Sequence, residues 1–310
     1  MRNRILVILL CFSFSVPSVF GGVGDAERVI FDCSEMLSGL GIEVSNPRLA
    51  VWRTLPPQDN AVARIILIHG IKEYSRWHQN TIAGLSARGI EVVYFDLRGS
   101  GHSEGLPQFV HRFQQYVDDV RSVVRWTQNN LPPLPLYVLG HSLGGTIAIY
   151  YAASNQQQLS GLIVTAPAYL PGKGISGPKM FAARVLSTFF PRFRIWEGLA
   201  RGLIAHDPIV EDLKDRDPLV YRFNTARQGD VALRAMSQLP QVVGRVHIPV
   251  FFSHGSADQL IQPAGTRHLY ERVGSSDRTY FEVPGGFHEL HNDTGRARLF
   301  EEIARWVRSH

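Results

Sequence analysis

Short apolar runs recur along the chain, separated by longer stretches in which apolar and polar residues mix. The runs predict strands at Arg64–Ile68, Glu91–Phe95, Leu136–Leu139, Gly161–Thr165, Val250–His254 and Thr279–Val283. The stretches between them predict helices at Trp77–Ala87, Phe109–Gln128, Leu143–Ala153, Ala264–Arg272 and Arg296–Arg308. Strand and helix alternate from about Arg64 onward, the pattern of a mostly parallel α/β sheet with helices on both faces. The alternation breaks down between Ala166 and about Arg245. That segment opens with Pro167, Pro171, Gly172, Gly174, Gly177 and Pro178, continues through the apolar stretch Met180–Phe190, and adds Phe193, Ile195 and Trp196.

Chemistry enters at the strand ends. Tyr137-Val138-Leu139-Gly140-His141-Ser142-Leu143-Gly144-Gly145 is an apolar run followed by a Gly-x-Ser-x-Gly turn, and a helix follows it. A serine at such a turn adopts a strained backbone and points its hydroxyl away from the sheet. Gly140 and Gly144 are needed because a side chain at either would crowd the strand against the helix. Asp258 follows the run Val250-Phe251-Phe252, and His288 follows Tyr280-Phe281-Glu282-Val283 and two glycines. The order Ser, Asp, His is that of α/β-hydrolases. It predicts Ser142 as nucleophile, His288 as proton shuttle and Asp258 as the group that orients the imidazole.

The chain resembles the monoacylglycerol lipase and lysophospholipase branch of the α/β-hydrolases from about Val51 to the C-terminus. The matching motifs are His69-Gly70, Asp96-Leu97-Arg98-Gly99-Ser100-Gly101-His102-Ser103, Gly140-His141-Ser142-Leu143-Gly144-Gly145, Asp217-Pro218-Leu219-Val220, the Asp258 turn with Pro263, and the His288 loop. The resemblance implies an α/β-hydrolase fold with a helical cap, about residues 166–245, inserted before the strand that carries the catalytic aspartate. It also implies an oxyanion hole built from the backbone amides of Ile71 and Leu143. Relatives often carry a Gly-Arg pair after the oxyanion turn, whereas this chain reads Lys72-Glu73-Tyr74-Ser75-Arg76-Trp77. In the cap, Phe189, Phe190, Phe193 and Trp196 read either as ordinary packing on the body or as a lid. A lid would line an acyl tunnel with its inner face and touch lipid with its outer face.

Composition changes the picture only in places. The 310 residues, 45% of them hydrophobic, can bury one substantial core. A net charge of +5 fits a solvated basic surface and equally an attraction to anionic lipid. The basic residues are scattered and carry no nucleic-acid-recognition motif. Arg2 and Arg4, the apolar run Ile5–Phe14 and the small residues around Gly21-Gly22 have the layout of a secretory signal peptide over residues 1–22. A retained anchor is the alternative. The expected location is therefore outside the cytoplasm, periplasmic or secreted, with the hydrolase domain spanning residues 23–310. Removal of that segment takes Cys11 with it and leaves Cys33 alone, with no internal disulfide.

His69 and His102 read as loop-ordering residues, and Asp118 and Asp119 as solvated charge on a helix. Asp217-Pro218 reads as an element boundary with a role in placing the cap. His288-Glu289-Leu290-His291 with Asp293 mimics a metal cluster, but the catalytic role of His288 takes precedence, and neither metal nor cofactor is expected. Asp293 is the runner-up triad acid, on the wrong side of His288 in chain order. The resemblance implies a serine hydrolase that cleaves a monoacylglycerol or lysophospholipid through an acyl-enzyme. General carboxylesterase, acyltransferase and peptidase chemistry share the triad. A lipid-binding protein on the same scaffold would have no need of all three residues.

Overall fold

The computed structural model describes residues 40–42, 47–58, 60–172, 184–196 and 202–310. The expected signal peptide, both cysteines and Met180–Ala183 lie outside the described residues. The body begins with β1 (Leu40–Ile42), β2 (Leu49–Thr54), β3 (Ala63–Ile68), α1 (Gln79–Ser86), β4 (Ile90–Phe95) and α2 (Gln114–Asn130). It continues with β5 (Leu136–His141), α3 (Leu143–Asn155) and β6 (Gly161–Thr165). The cap supplies a helical stretch at 184–189, β7 (Arg194–Trp196), α4 (Pro208–Arg216), β8 (Phe223–Thr225) and α5 (Ala226–Val243). The body resumes with β9 (Val250–Gly255), α6 (Pro263–Arg272), β10 (Arg278–Val283) and α7 (Arg296–Ser309).

Eight strands form one sheet in the order β1-β2-β4-β3-β5-β6-β9-β10. β1, β2 and β4 pair antiparallel, and the remaining pairs are parallel. Every residue of β3, β4, β5 and β9 is buried, which is why these strands read as unbroken apolar runs: parallel strands are covered on both faces. β2 instead alternates buried Leu49 and Val51 with half-buried neighbours, as an antiparallel strand near a sheet edge does.

The register aligns the carboxyl ends of the parallel strands. Ile68 lies opposite Gly140, His141 opposite Thr165, Thr165 opposite Ser253, and Gly255 opposite Val283. The loops leaving β3, β5, β9 and β10 therefore emerge side by side, where open α/β sheets bind their ligands.

The helices follow their apolar stripes. On α2, Tyr116, Val117, Val120, Val123 and Val124 turn inward at spacings of three and four. α3 is buried almost all round and contacts α2 and α5, while α1 packs on α7. α2 starts at Gln114 rather than Phe109 because Gln108 has left-handed backbone (φ 50°), with Phe109 and Val110 buried beside it. The expectation of solvated charge holds for Asp118 and fails for Asp119. Asp119 is buried and accepts both ends of the Arg98 guanidinium fork, at 2.7 and 2.5 Å.

Candidate active site

Ser142 sits between β5 and α3 with φ 52° and ψ −120°. A non-glycine residue holds such a conformation only where its surroundings over-determine it. Here the Ser142 amide donates to Thr165 O (3.0 Å), and its carbonyl accepts from Ala168 N (2.9 Å). The flanking glycines permit the close approach. A Cβ on Gly140 would stand 2.2 Å from Gly144 O, and one on Gly144 would stand 2.2 Å from Ile68 O.

His288 reaches the serine from the loop after β10. Its Nε2 lies 3.0 Å from Ser142 Oγ and its Nδ1 2.7 Å from Asp258 Oδ2. Nδ1–H donates to the carboxylate, so Nε2 is left to accept the serine proton. Asp258 is held by four donors. Oδ1 accepts from Leu260 N (2.8 Å) and Ile261 N (3.0 Å), and Oδ2 accepts from His288 and from His254 Nε2 (2.9 Å). His254, in turn fixed by the Thr266 hydroxyl at 2.6 Å, is a second imidazole on this carboxylate that sequence reasoning passed over.

The electrostatics follow from these contacts. Burial would raise the Asp258 pKa, but His288 and the His254 hydrogen bond carry it well below the usual carboxylate range. Burial would lower His288, but Asp258 and Glu289 hold it above 6.5. His141 and His291 are driven well below that value, chiefly by burial and then by neighbouring imidazoles, so both stay neutral. Asp293, the runner-up acid, serves elsewhere: it accepts from Phe287 N (2.7 Å) and from His206 Nδ1 (2.7 Å).

Of the two amides expected to form the oxyanion hole, that of Leu143 follows Ser142 directly in the chain. Leu143 opens α3, where amides have no acceptor within their own helix. Ile71 follows β3, and the amides on either side of it are tied down: Gly70 N by Glu73 Oε1 (2.6 Å) and Lys72 N by Gln108 Oε1 (3.2 Å). Lys72 turns the chain with φ 66°, a left-handed residue at the point where this loop departs from the glycine-bearing pattern. His69 and His102 order loops: His69 Nε2 accepts from Leu97 N (3.0 Å), while the His102 amide donates to Asp96 (2.8 Å).

The polar cluster beside His288 brings Glu289 and His291 of the apparent metal motif together with residues the sequence did not connect to them, His78, Glu73, His141 and Lys214. His78 stacks on His291 with ring centroids 4.0 Å apart, and His141 lies 5.0 Å from His288 by the same measure. His78 Nε2 donates to Glu73 Oε1 (2.8 Å), and the cap residue Lys214 pairs with both Glu73 and Glu289. Asp217 ends α4, accepts the Tyr74 hydroxyl at 2.8 Å and so joins the cap to the oxyanion loop. Phe189, Phe190, Phe193 and Trp196 are each more than half exposed. Trp196 leans on Phe223 at 5.5 Å, and Arg194 lies over that ring at 4.5 Å.

Residues 59–295 match the family model described as Serine aminopeptidase, S33. The chain is 30% identical over 292 residues to a monoacylglycerol lipase of Mycolicibacterium smegmatis, covering 94% of this chain and 96% of that protein. It is 29% identical over 255 residues to the monoglyceride lipase of Homo sapiens, covering 81% of this chain and 84% of that one. Among solved structures, the monoacylglycerol lipase of Paleococcus ferrophilus superimposes with a TM-score of 0.76 at 25% identity, over 84% of this chain and 99% of that one. With its parallel sheet, its serine turn and these relatives, the chain belongs to the Serine aminopeptidase, S33 family of α/β-hydrolases, in the monoglyceride lipase-like branch.

Proposed function

We propose that this protein is a serine hydrolase that cleaves carboxylic esters of lipids, monoacylglycerols before lysophospholipids, through an acyl-enzyme. The observation that carries this reading is the unbroken hydrogen-bonded line Asp258–His288–Ser142 at the carboxyl ends of β9, β10 and β5. Ser142 Oγ attacks the ester carbonyl as His288 Nε2 takes its proton, and Asp258 stabilises the resulting imidazolium. The carbonyl oxygen becomes an oxyanion facing the Ile71 and Leu143 amides, each such donor being worth about two to three decades in rate. The tetrahedral centre collapses, and His288 gives its proton to the departing glycerol or phosphoglycerol oxygen. Water, deprotonated by His288, then attacks the acyl-serine; the fatty acid leaves and Ser142 regains its proton.

The names of the relatives support a glycerol ester as substrate. The cap supports delivery from a lipid surface: exposed Phe189, Phe190, Phe193 and Trp196 lie among exposed Arg184, Arg192 and Arg194, a mixture suited to an anionic interface. The apolar run at residues 5–14, preceded by Arg2 and Arg4, supports export to such a surface.

The test is fatty-acid release from matched monoacylglycerol, lysophospholipid and short p-nitrophenyl ester panels. Turnover should concentrate on monoacylglycerol and fall on the order of a million-fold in Ser142→Ala. Activity on short esters alone would make the protein a general carboxylesterase, and tight lipid binding without turnover would make it a binding protein.

A further inference from the structure

The chemistry above leaves one buried charge cluster without a task. Glu73 and Glu289 are almost completely buried, and Lys214, carried on α4 of the cap, reaches both. Its Nζ pairs with Glu289 Oε1 and lies 3.5 Å from Glu73 Oε2. The two carboxylates belong to the two loops that complete the site. Glu73 accepts the Gly70 amide at 2.6 Å, so its position sets the peptide leading into Ile71. Glu289 follows His288 directly, and its Oε2 accepts from Trp77 Nε1 and Asn292 Nδ2, both at 2.9 Å.

Other cap contacts fall on the same two loops. Tyr221 N donates to Lys72 O (2.8 Å), Glu289 N donates to Ile204 O (2.8 Å), and His206 N donates to Asp293 Oδ1 (3.1 Å). Two carboxylates this deep repel each other and need a shared cation, and removing one partner of a buried ion pair leaves the rest uncompensated. Burial alone would raise the pKa of Glu73; His78 and Lys214 hold it well below the ordinary value. Burial would lower Lys214, and Glu289 and Glu73 together raise it.

We propose that Lys214 is a positioning residue: by bridging Glu73 and Glu289 it sets the oxyanion loop and the His288 loop in register with Ser142, so that turnover depends on the cap being seated. The proposal rests on the serine hydrolase reading. It gives the cap a part in the chemical step as well as in binding the acyl chain. It also makes a signed statement about His288. The titratable and charged groups around that ring are Asp258, backed by His254, from the loop after β9, and His141 from the nucleophile turn. Glu289 and His291 lie on its own loop, Glu73 and His78 on the oxyanion loop, and Lys214 on α4. Lys214 disfavours protonation of His288, whereas Glu289 favours it. Removing one or the other therefore moves the acidic limb of activity in opposite directions.

The experiment measures kcat and KM against pH on a short soluble p-nitrophenyl ester, where acyl-chain binding plays little part. Lys214→Met should lose about 100-fold in kcat, the scale of a misplaced catalytic group, with KM little changed and the acidic limb moved to higher pH. Lys214→Arg should restore most of the rate, and Glu289→Gln should move the limb to lower pH. A folded Lys214→Met with the wild-type melting temperature, kcat and acidic limb overturns the proposal. Should that variant fail to fold, Glu289→Gln decides alone, since it also breaks the bridge, and an unchanged kcat in a folded Glu289→Gln overturns the proposal. Fluorophosphonate labelling of the wild type keeps the two readings apart. An unlabelled Ser142 ends the hydrolase assignment, whereas a labelled, active wild type with unaltered variants ends only the role of Lys214.

Discussion

The sheet and the cap segment before α5, residues 202–225, are held by different physics. β3, β4, β5 and β9 are buried along their whole length and locked by continuous ladders of backbone hydrogen bonds. Their placement is the sum of many non-directional contacts, and no single side chain decides it. α5 packs Val231, Leu239 and Val243 into the hydrophobic core, whereas the cap residues before it, 202–225, meet the body through single polar contacts. These include Lys214 with its two glutamates, Asp217 with Tyr74, Asp293 with His206, and the Thr225 hydroxyl on Gln108 O at 2.5 Å. A substitution in the body should therefore appear as lost stability. One at these cap contacts should also appear as altered turnover, and one on the cap's exposed surface should leave melting unchanged.

Arg98→Met should break this comparison on the stability side most strongly. It strands the Asp119 carboxylate, only 4% exposed, beneath α2, at a cost of about 3–5 kcal/mol at neutral pH. Burial already holds the Asp119 pKa above the ordinary 3.8, against the pull of Arg98, and loss of the guanidinium raises it further. The folded variant then binds this proton more tightly than the unfolded chain does. Its deficit should accordingly shrink as pH falls towards the unfolded carboxylate range near about 4. Urea denaturation at several pH values reads this directly, and a pH-independent deficit would contradict it.

The second effect separates activity from stability at one residue. In the proposed mechanism turnover needs a neutral His288, and its pKa lies above 6.5. Activity should thus climb through an acidic limb above that value in a kcat/KM profile. Stability runs the other way. The raised pKa contributes fully below the unfolded value of about 6.5 and is lost as pH rises through the folded one. Asp258, with its pKa lowered, contributes above the unfolded value near 3.8, and that contribution fades as pH falls further.

The smallest change in stability belongs to the cap surface. Phe189→Ser with Phe190→Ser removes side chains 73% and 64% exposed and should shift stability by no more than about 0.5 kcal/mol. Hydrolysis of long-chain esters presented on anionic vesicles should drop while short soluble esters are spared. Equal loss on both would remove the cap aromatics from lipid contact.

The same division explains what the sequence made legible. Strands buried on both faces announce themselves as apolar runs, so the predicted strands from β3 onward match the observed ones to within two residues. β7 and β8, three residues each, are too short to show a period, and β1 and β2 precede the alternation from which the sheet was read. Ser142, Asp258 and His288 stand out because each follows a strand in a turn of small residues. Lys214 lies 141 residues from Glu73 and 75 from Glu289, and although Glu289 stands in a run of polar residues after His288, nothing local ties that run to the other two. Asp119 was misread for the same reason, its guanidinium partner lying 21 residues back.

The backbone of Ser142 carries a consequence for how such a protein changes over time. Its φ of 52° is one that glycine adopts freely and serine does not, a conformation that costs on the order of 1–3 kcal/mol. Drift at this codon towards glycine would be favoured by folding and opposed only by the need for turnover. A duplicated copy released from that need should lose the proposed nucleophile early and keep its fold, so inactive descendants of this scaffold would arise along a downhill path.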